Sequence, residues 1–317
     1  MARPIQQRVV NGAGALAAAL VTALAAAPGC SRSALTDARV AAAFDSEATL
    51  DTLHDYEVGE AAAMSRVAEL EALLRESRSD ARVLVLLARA WCRLGFVFTL
   101  DEHERALELG DGPLAAYHRD RARAGFERAV HFADTWLERR APGFAKALGD
   151  AERLDRFLDS RFTADAAEPL LWAGFGRVSD AAAAPEAPGA ARARQDGVRL
   201  LRRSLALAPA LARGFAHVGL ALDAALPPRP EPERLRDELA RADAASAGTR
   251  LFVRVLRARW LACLARDRRA FEAELDLVLR SGDVAPELRL ENTAAKRRAR
   301  LYVTSARLDA ACFAEPE

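Results

Sequence analysis

The feature that most restricts the fold of this chain is a short core of small and aromatic residues that recurs along it. Ala88-Arg-Ala-Trp91, Ala173-Gly-Phe-Gly176, Ala216-His-Val-Gly219 and Ala258-Arg-Trp-Leu261 lie 85, 43 and 42 residues apart. A second amphipathic segment follows each core. Such a period is that of a helical hairpin, a unit that cannot bury its apolar face alone and is stable only when stacked on neighbours. Ala and Gly at the four anchors let two helices approach closely. The first interval is about twice the others, which predicts an extra helix pair around Ala147 to Phe162 without its own anchor. Leu205-Ala-Leu-Ala-Pro209 reads as a tetratricopeptide-type helix end, with Ala208 where an acidic residue is usual.

Periodicity within the segments agrees. Val83, Leu87, Ala90, Trp91, Leu94 and Phe98 share one face of a helix predicted over Ala81 to Phe98. Ala122, Phe126, Ala129, Val130, Ala133 and Leu137 form the stripe of another, which ends with Arg139 and Arg140 before Pro142-Gly143. Phe271, Leu275, Val278 and Leu279 mark a helix ending at Ser281-Gly282, and Pro286 opens one expected to reach Cys312. No segment alternates with period two. The 73 Ala among 317 residues, with abundant Leu, Arg and Glu, favour helix. The fold class expected is all-α, stacked antiparallel helical hairpins in a tetratricopeptide-like solenoid. Asp180 to Arg194 and Ala224 to Glu233 read as loops between hairpins, within one domain spanning 38–317.

At the N-terminus, Arg3 and Arg8 precede an Ala-dominated apolar run from Ala13 to Ala27, the layout of a secretory signal. Ala27-Pro28-Gly29-Cys30 is similar to a bacterial lipobox, with Ala27 and Pro28 the unusual positions. Residues 1–29 are therefore read as a lipoprotein signal peptide, Cys30 as the lipidation site and 30–37 as a lipid-anchored tether. Each buried methylene of an acyl chain contributes about 0.8 kcal/mol, so two or three chains anchor stably. The expected location is the bacterial periplasm, tethered to a membrane, the outer one favoured.

Enzymatic chemistry finds no support in the residues. The five histidines, His54, His103, His118, His131 and His217, show no metal-ligand spacing, and neither a nucleophile elbow nor a phosphate-binding Gly-rich loop is present. No catalytic residue, metal or cofactor is assigned. Asp101, Glu102 and Glu104 are expected at a solvated helix start. Cys92, Cys263 and Cys312 sit among apolar residues as small core residues, and any disulfide between two of them cannot be paired from the sequence. With 46 basic against 45 acidic residues, no field concentrates nucleic acid. What remains is the aromatic set Trp91, Phe96, Phe98, Trp172, Phe175, Phe215 and Trp260, on or just after the anchor helices. Together with Arg89 and His217 these are the candidates for a largely apolar ligand or partner groove on the concave wall.

Several stretches, taken in order, carry a resemblance. They are Leu70-Glu-Ala-Leu-Leu-Arg-Glu-Ser77, Val83-Leu-Val-Leu-Leu-Ala-Arg-Ala90, Gly95-Phe-Val-Phe98, Pro142-Gly-Phe144, Ala285-Pro-Glu-Leu-Arg-Leu-Glu-Asn292 and Lys296-Arg-Arg-Ala-Arg300. The set resembles the T-component family of TRAP transporters, TatT-type periplasmic lipoproteins, over about residues 50 to 310. It departs in a shorter, glycine-free loop before Arg234 and an Ala/Pro-rich insert after Asp180. The resemblance implies a non-enzymatic tetratricopeptide-like subunit that works with a periplasmic solute-binding protein, as a homotrimer, and binds a hydrophobic small molecule. The competing reading is an envelope scaffold lipoprotein that holds peptide segments of an assembly machine.

Overall fold

A computed structural model describes residues 28–77, 80–226 and 230–314, with side chains from Ala34 onward. Residues 1–27 of the expected signal, and the Cys30 side chain, lie outside the described part. The helices are α1 (Pro28–Asp51), α2 (Tyr56–Glu76), α3 (Ala81–Arg93), α4 (Leu100–Glu108), α5 (Gly112–Arg140), α6 (Phe144–Ala147), α7 (Ala151–Arg161) and α8 (Ala167–Ala183). They continue as α9 (Ala190–Leu207), α10 (Phe215–Ala225), α11 (Pro232–Ala245), α12 (Leu251–Leu256), α13 (Arg268–Arg280), α14 (Arg289–Val303) and α15 (Ala306–Phe313). Two π-helical turns, Leu94–Thr99 and Arg257–Ala262, extend α3 and α12. No strand occurs among the described residues, so the chain is all-α.

Local chemistry sets the helix starts. Asp55, Asp111, Asp150 and Asp267 each accept a hydrogen bond from a first-turn backbone N–H at 2.8–3.0 Å, satisfying donors the helix itself leaves open. Several sequence-derived boundaries need correction. The doubled interval holds no second complete hairpin: the 29-residue α5 takes up much of it, followed by one turn in α6 and the single helix α7. The predicted loop after Asp180 is largely helical, because α8 runs on to Ala183 and α9 begins at Ala190; Ala carries the helix until Pro185 stops it. The helix expected to reach Cys312 breaks at Thr304-Ser305, where the Ser305 hydroxyl caps α15. Helix α1 takes in residues 30–37, which does not bear on their reading as a lipid-anchored tether.

Helices α3, α8, α10, α12 and α14, the first members of the hairpins, line the inside of the stack, with α5, α9, α11 and α13 packed outside them. Small residues set the spacing. A Cβ on Gly174 would stand 2.8 Å from the Gly197 carbonyl oxygen on α9, and one on Gly176 2.8 Å from Val130 Cγ2 on α5. The run Ala81–Glu108 is long and apolar enough to cross a membrane, yet 78% of its most apolar window is buried inside the protein, which makes it a core element.

The stack closes on itself. Helix α14 packs against α1, α2, α4 and the first π turn, so the last hairpin meets the first. Arg297 and Arg298 both pair with Asp101, Arg298 Nε at 3.0 Å, and Arg297 also reaches Glu102 at 2.8 Å. Arg307 bridges Glu104 at 3.0 Å and Glu108 at 2.8 Å. The acidic start of α4 is thus not a solvated patch as expected: Asp101 is 1% exposed and serves as the buried acceptor of this seam. A disulfide joins Cys263, just after the second π turn, to Cys312 on α15, and Cys92 is a buried free thiol.

Candidate functional site

Two cavities lie along the inside of the closed stack, and they share one residue, Phe96. The assignment of helix ends is regular. Arg89 and Arg93 of α3, Glu168 and Trp172 of α8, Phe215 of α10, Arg250 before α12, and Leu290 and Glu291 of α14 line the first cavity. The second takes its walls from the opposite ends of the same inner helices: Ser179 and Ala182 of α8, Leu222 of α10, Leu256 of α12 and Tyr302 of α14. The inner helices therefore run parallel, with one cavity at each end of the ring they form.

An aromatic cluster separates the two. Phe96 sits with its centroid 5.1 Å from Phe175, 5.9 Å from Phe215 and 5.1 Å from Phe252. Phe175 and Phe215 are 4.7 Å apart, and Trp172 lies 5.6 Å from Phe215 on the side of the first cavity. Such tilted and edge contacts add about 0.5–1.5 kcal/mol per pair beyond the area buried. The π turn Leu94–Thr99 contains Phe96; a π turn inserts an extra residue per turn and rotates the side chains that follow.

The first cavity, about 360 Å³, combines apolar walls with a balanced set of charges. Phe96, Val97, Trp172, Phe215, Leu288 and Leu290 are among its apolar residues. Arg89 Nε donates to Glu168 at 2.8 Å, and Trp172 Nε1 donates to the same carboxylate at 3.0 Å. Arg93 pairs with Asp51 at 2.6 Å, Arg250 with Glu291, and the exposed pair Arg213 and Glu287 stands at the mouth. Burial pushes the Asp51 carboxyl above the usual range, against the pull of Arg93. Ala212 and Arg213 hold left-handed backbone, φ 46° and 49°, and the Ala212 carbonyl is pinned by Arg250 Nη2 at 2.8 Å. Two non-glycine residues in that region, held by a buried arginine, form a rigid lip. With four arginines and four carboxylates in its wall, the cavity offers an apolar body shape and contact but little net field.

The residues singled out from the sequence fall into four places. Arg89, Phe96, Trp172 and Phe215 line the first cavity, Trp260 joins Phe96 on the second, and Phe175 is wholly buried within the aromatic cluster. Trp91, Phe98 and His217 line neither. Trp91 turns outward from the ring, its Nε1 donating to Glu71 at 3.2 Å and its ring against Gly125. Phe98 is buried 5.2 Å from Tyr56, and His217 Nδ1 lies 2.6 Å from Glu238 on the outer helix α11. The cleft is also more polar than expected. Arg93 could have been found, since it lies one helical turn after Arg89 on the same face. Asp51, Arg250, Glu287, Leu288, Leu290 and Glu291 could not, because they reach the site only through ring closure.

Among the described residues no group of three or more His, Cys, Asp or Glu side chains could hold a metal. The fold and site define a closed tetratricopeptide-like helical solenoid with two internal cavities. The family model of the TRAP transporter T-component matches residues 53–307, and the chain belongs to that family. A search of curated proteins finds no match.

Proposed function

We propose that this chain is a lipid-anchored periplasmic subunit of a TRAP-type transporter, without catalysis of its own, that engages the solute-binding protein and holds an apolar ligand in the first cavity. Family membership supports the transporter setting, and the lipobox-like Ala27-Pro28-Gly29-Cys30 supports the anchor. The observation that carries the ligand is the first cavity itself. Each of its arginines faces a carboxylate in the same wall, which leaves little net charge, and Phe96, Trp172, Phe215, Leu288 and Leu290 provide apolar contact. A volume of about 360 Å³ lies within the range of small-molecule sites.

Titration with a neutral apolar fluorescent probe, alongside thermal melts, tests this. Trp172→Ala should weaken probe binding by about 1–3 kcal/mol, the scale of one large apolar side chain, with the fold retained. A wild-type protein that takes up no probe, or a variant that merely unfolds, for which a loss of about 3–5 kcal/mol of stability is the mark of a core ring, contradicts the reading.

A further inference from the structure

The second cavity, about 220 Å³, differs from the first in its electrostatics. Its wall contains Arg119, Arg259 and Arg298 against a single carboxylate, Glu104, which is committed to Arg307. Arg119 pairs with its exposed neighbour Asp120 at 3.1 Å, and Arg298 spends its Nε on Asp101. Among the described residues Arg259 has no ion-pairing carboxylate; the contact its guanidinium makes is Nη1 to the Cys263 sulfur at 3.8 Å.

Three polar groups on residues of this wall are buried with no hydrogen-bond partner: Arg298 Nη2, Arg259 Nε and the Ser179 hydroxyl. Arg298 is 5% exposed and Ser179 2%. Buried polar groups in folded proteins nearly always find partners, and leaving a charged donor without one is costly. All three can donate. The group that would satisfy them together is therefore an acceptor with negative charge, and guanidinium pairs carboxylate through short, charge-assisted bonds. The rest of the wall includes the apolar Phe96, Leu222, Leu256 and Trp260 beside two polar residues, His103 and Tyr302.

We infer that the second cavity is a binding site for a short organic carboxylate, its head group on Arg259, Arg298 and Ser179 and its apolar body against Phe96, Leu222 and Trp260. The site is distinct from the first cavity and does not depend on the ligand proposed there.

Calorimetric titration of the full chain with hexanoate and with hexanol tests the inference. Hexanoate should bind at least ten-fold more tightly than hexanol. Arg259→Gln, which breaks no ion pair, should reduce hexanoate affinity at least ten-fold at an unchanged melting temperature. Ser179→Ala should weaken it several-fold, and it serves as the second variant should Arg259→Gln lower the melting temperature. Absence of hexanoate binding at millimolar concentration, equal affinity for acid and alcohol, or full hexanoate affinity in both folded variants would overturn it.

Discussion

Asp101 carries the seam on which the closed shape depends. It is almost fully buried and takes charge-assisted bonds from Arg297 and Arg298, the second of which is itself buried. Removing one partner of a buried pair strands the other charge, at a cost of about 3–5 kcal/mol. We expect Asp101→Asn to lower the unfolding free energy by that amount in denaturant titration. A change below about 1 kcal/mol, the scale of an exposed pair, would mean that the seam is solvated. The sequence places Asp101 in an acidic stretch with Glu102 and Glu104, and nothing local distinguishes it from its neighbours. Its burial is decided about 200 residues downstream, where Arg297 and Arg298 approach, as the sequence separations of 196 and 197 record. Long-range pairing of this kind has no periodic signature. The aromatics show the same limit: Trp91 and Trp172 follow the same anchor logic, but only Trp172 reaches a cavity.

At the scale of elements, the anchors are what the sequence made legible. Periodic apolar positions identified the long helices, and the small residues at the anchors marked where helices α8 and α9 cross. A Cβ at Gly174 would meet not only the Gly197 carbonyl oxygen but Leu201 Cγ at 2.8 Å and Leu201 N at 3.0 Å, and backbone cannot yield as a side-chain end can. We expect Gly174→Ala to cost about 1–3 kcal/mol, the range of overpacking in a tight core. Gly112→Ala, at the first turn of α5 with nothing within 4 Å of the added methyl, is the control and should leave the melting temperature unchanged or slightly raised. Equal effects at the two positions would contradict the close crossing. The π turns were not legible, because an extra residue per turn leaves the apolar pattern of Leu94–Thr99 still reading as helix. The break at Thr304-Ser305 escaped for a similar reason: the pattern on both sides remains helical, and a single serine cap is a weak signal.

At the scale of the whole molecule, closure and the disulfide act on the same end of the chain. Cys263 and Cys312 are 49 residues apart, and the bond fastens the short α15 to the end of the second π turn. Constraining a loop of that length in the unfolded chain stabilises the fold by up to about 4 kcal/mol. Such bonds persist in oxidising compartments, in keeping with a periplasmic transport setting. We expect Cys263→Ser to lower the melting temperature and to free α15 to proteolysis before the rest of the chain, whereas an unchanged melt under reducing and oxidising conditions would show that the bond does not form. Solenoid, closure and the two internal cavities suit the role proposed above, that of a component handling a solute on behalf of a partner. Affinity isolation of the full chain from its native envelope, with mass-spectrometric identification of what accompanies it, tests that claim most directly: we expect a TRAP solute-binding protein to co-purify, and recovery of envelope-assembly subunits in its place would contradict the transporter role.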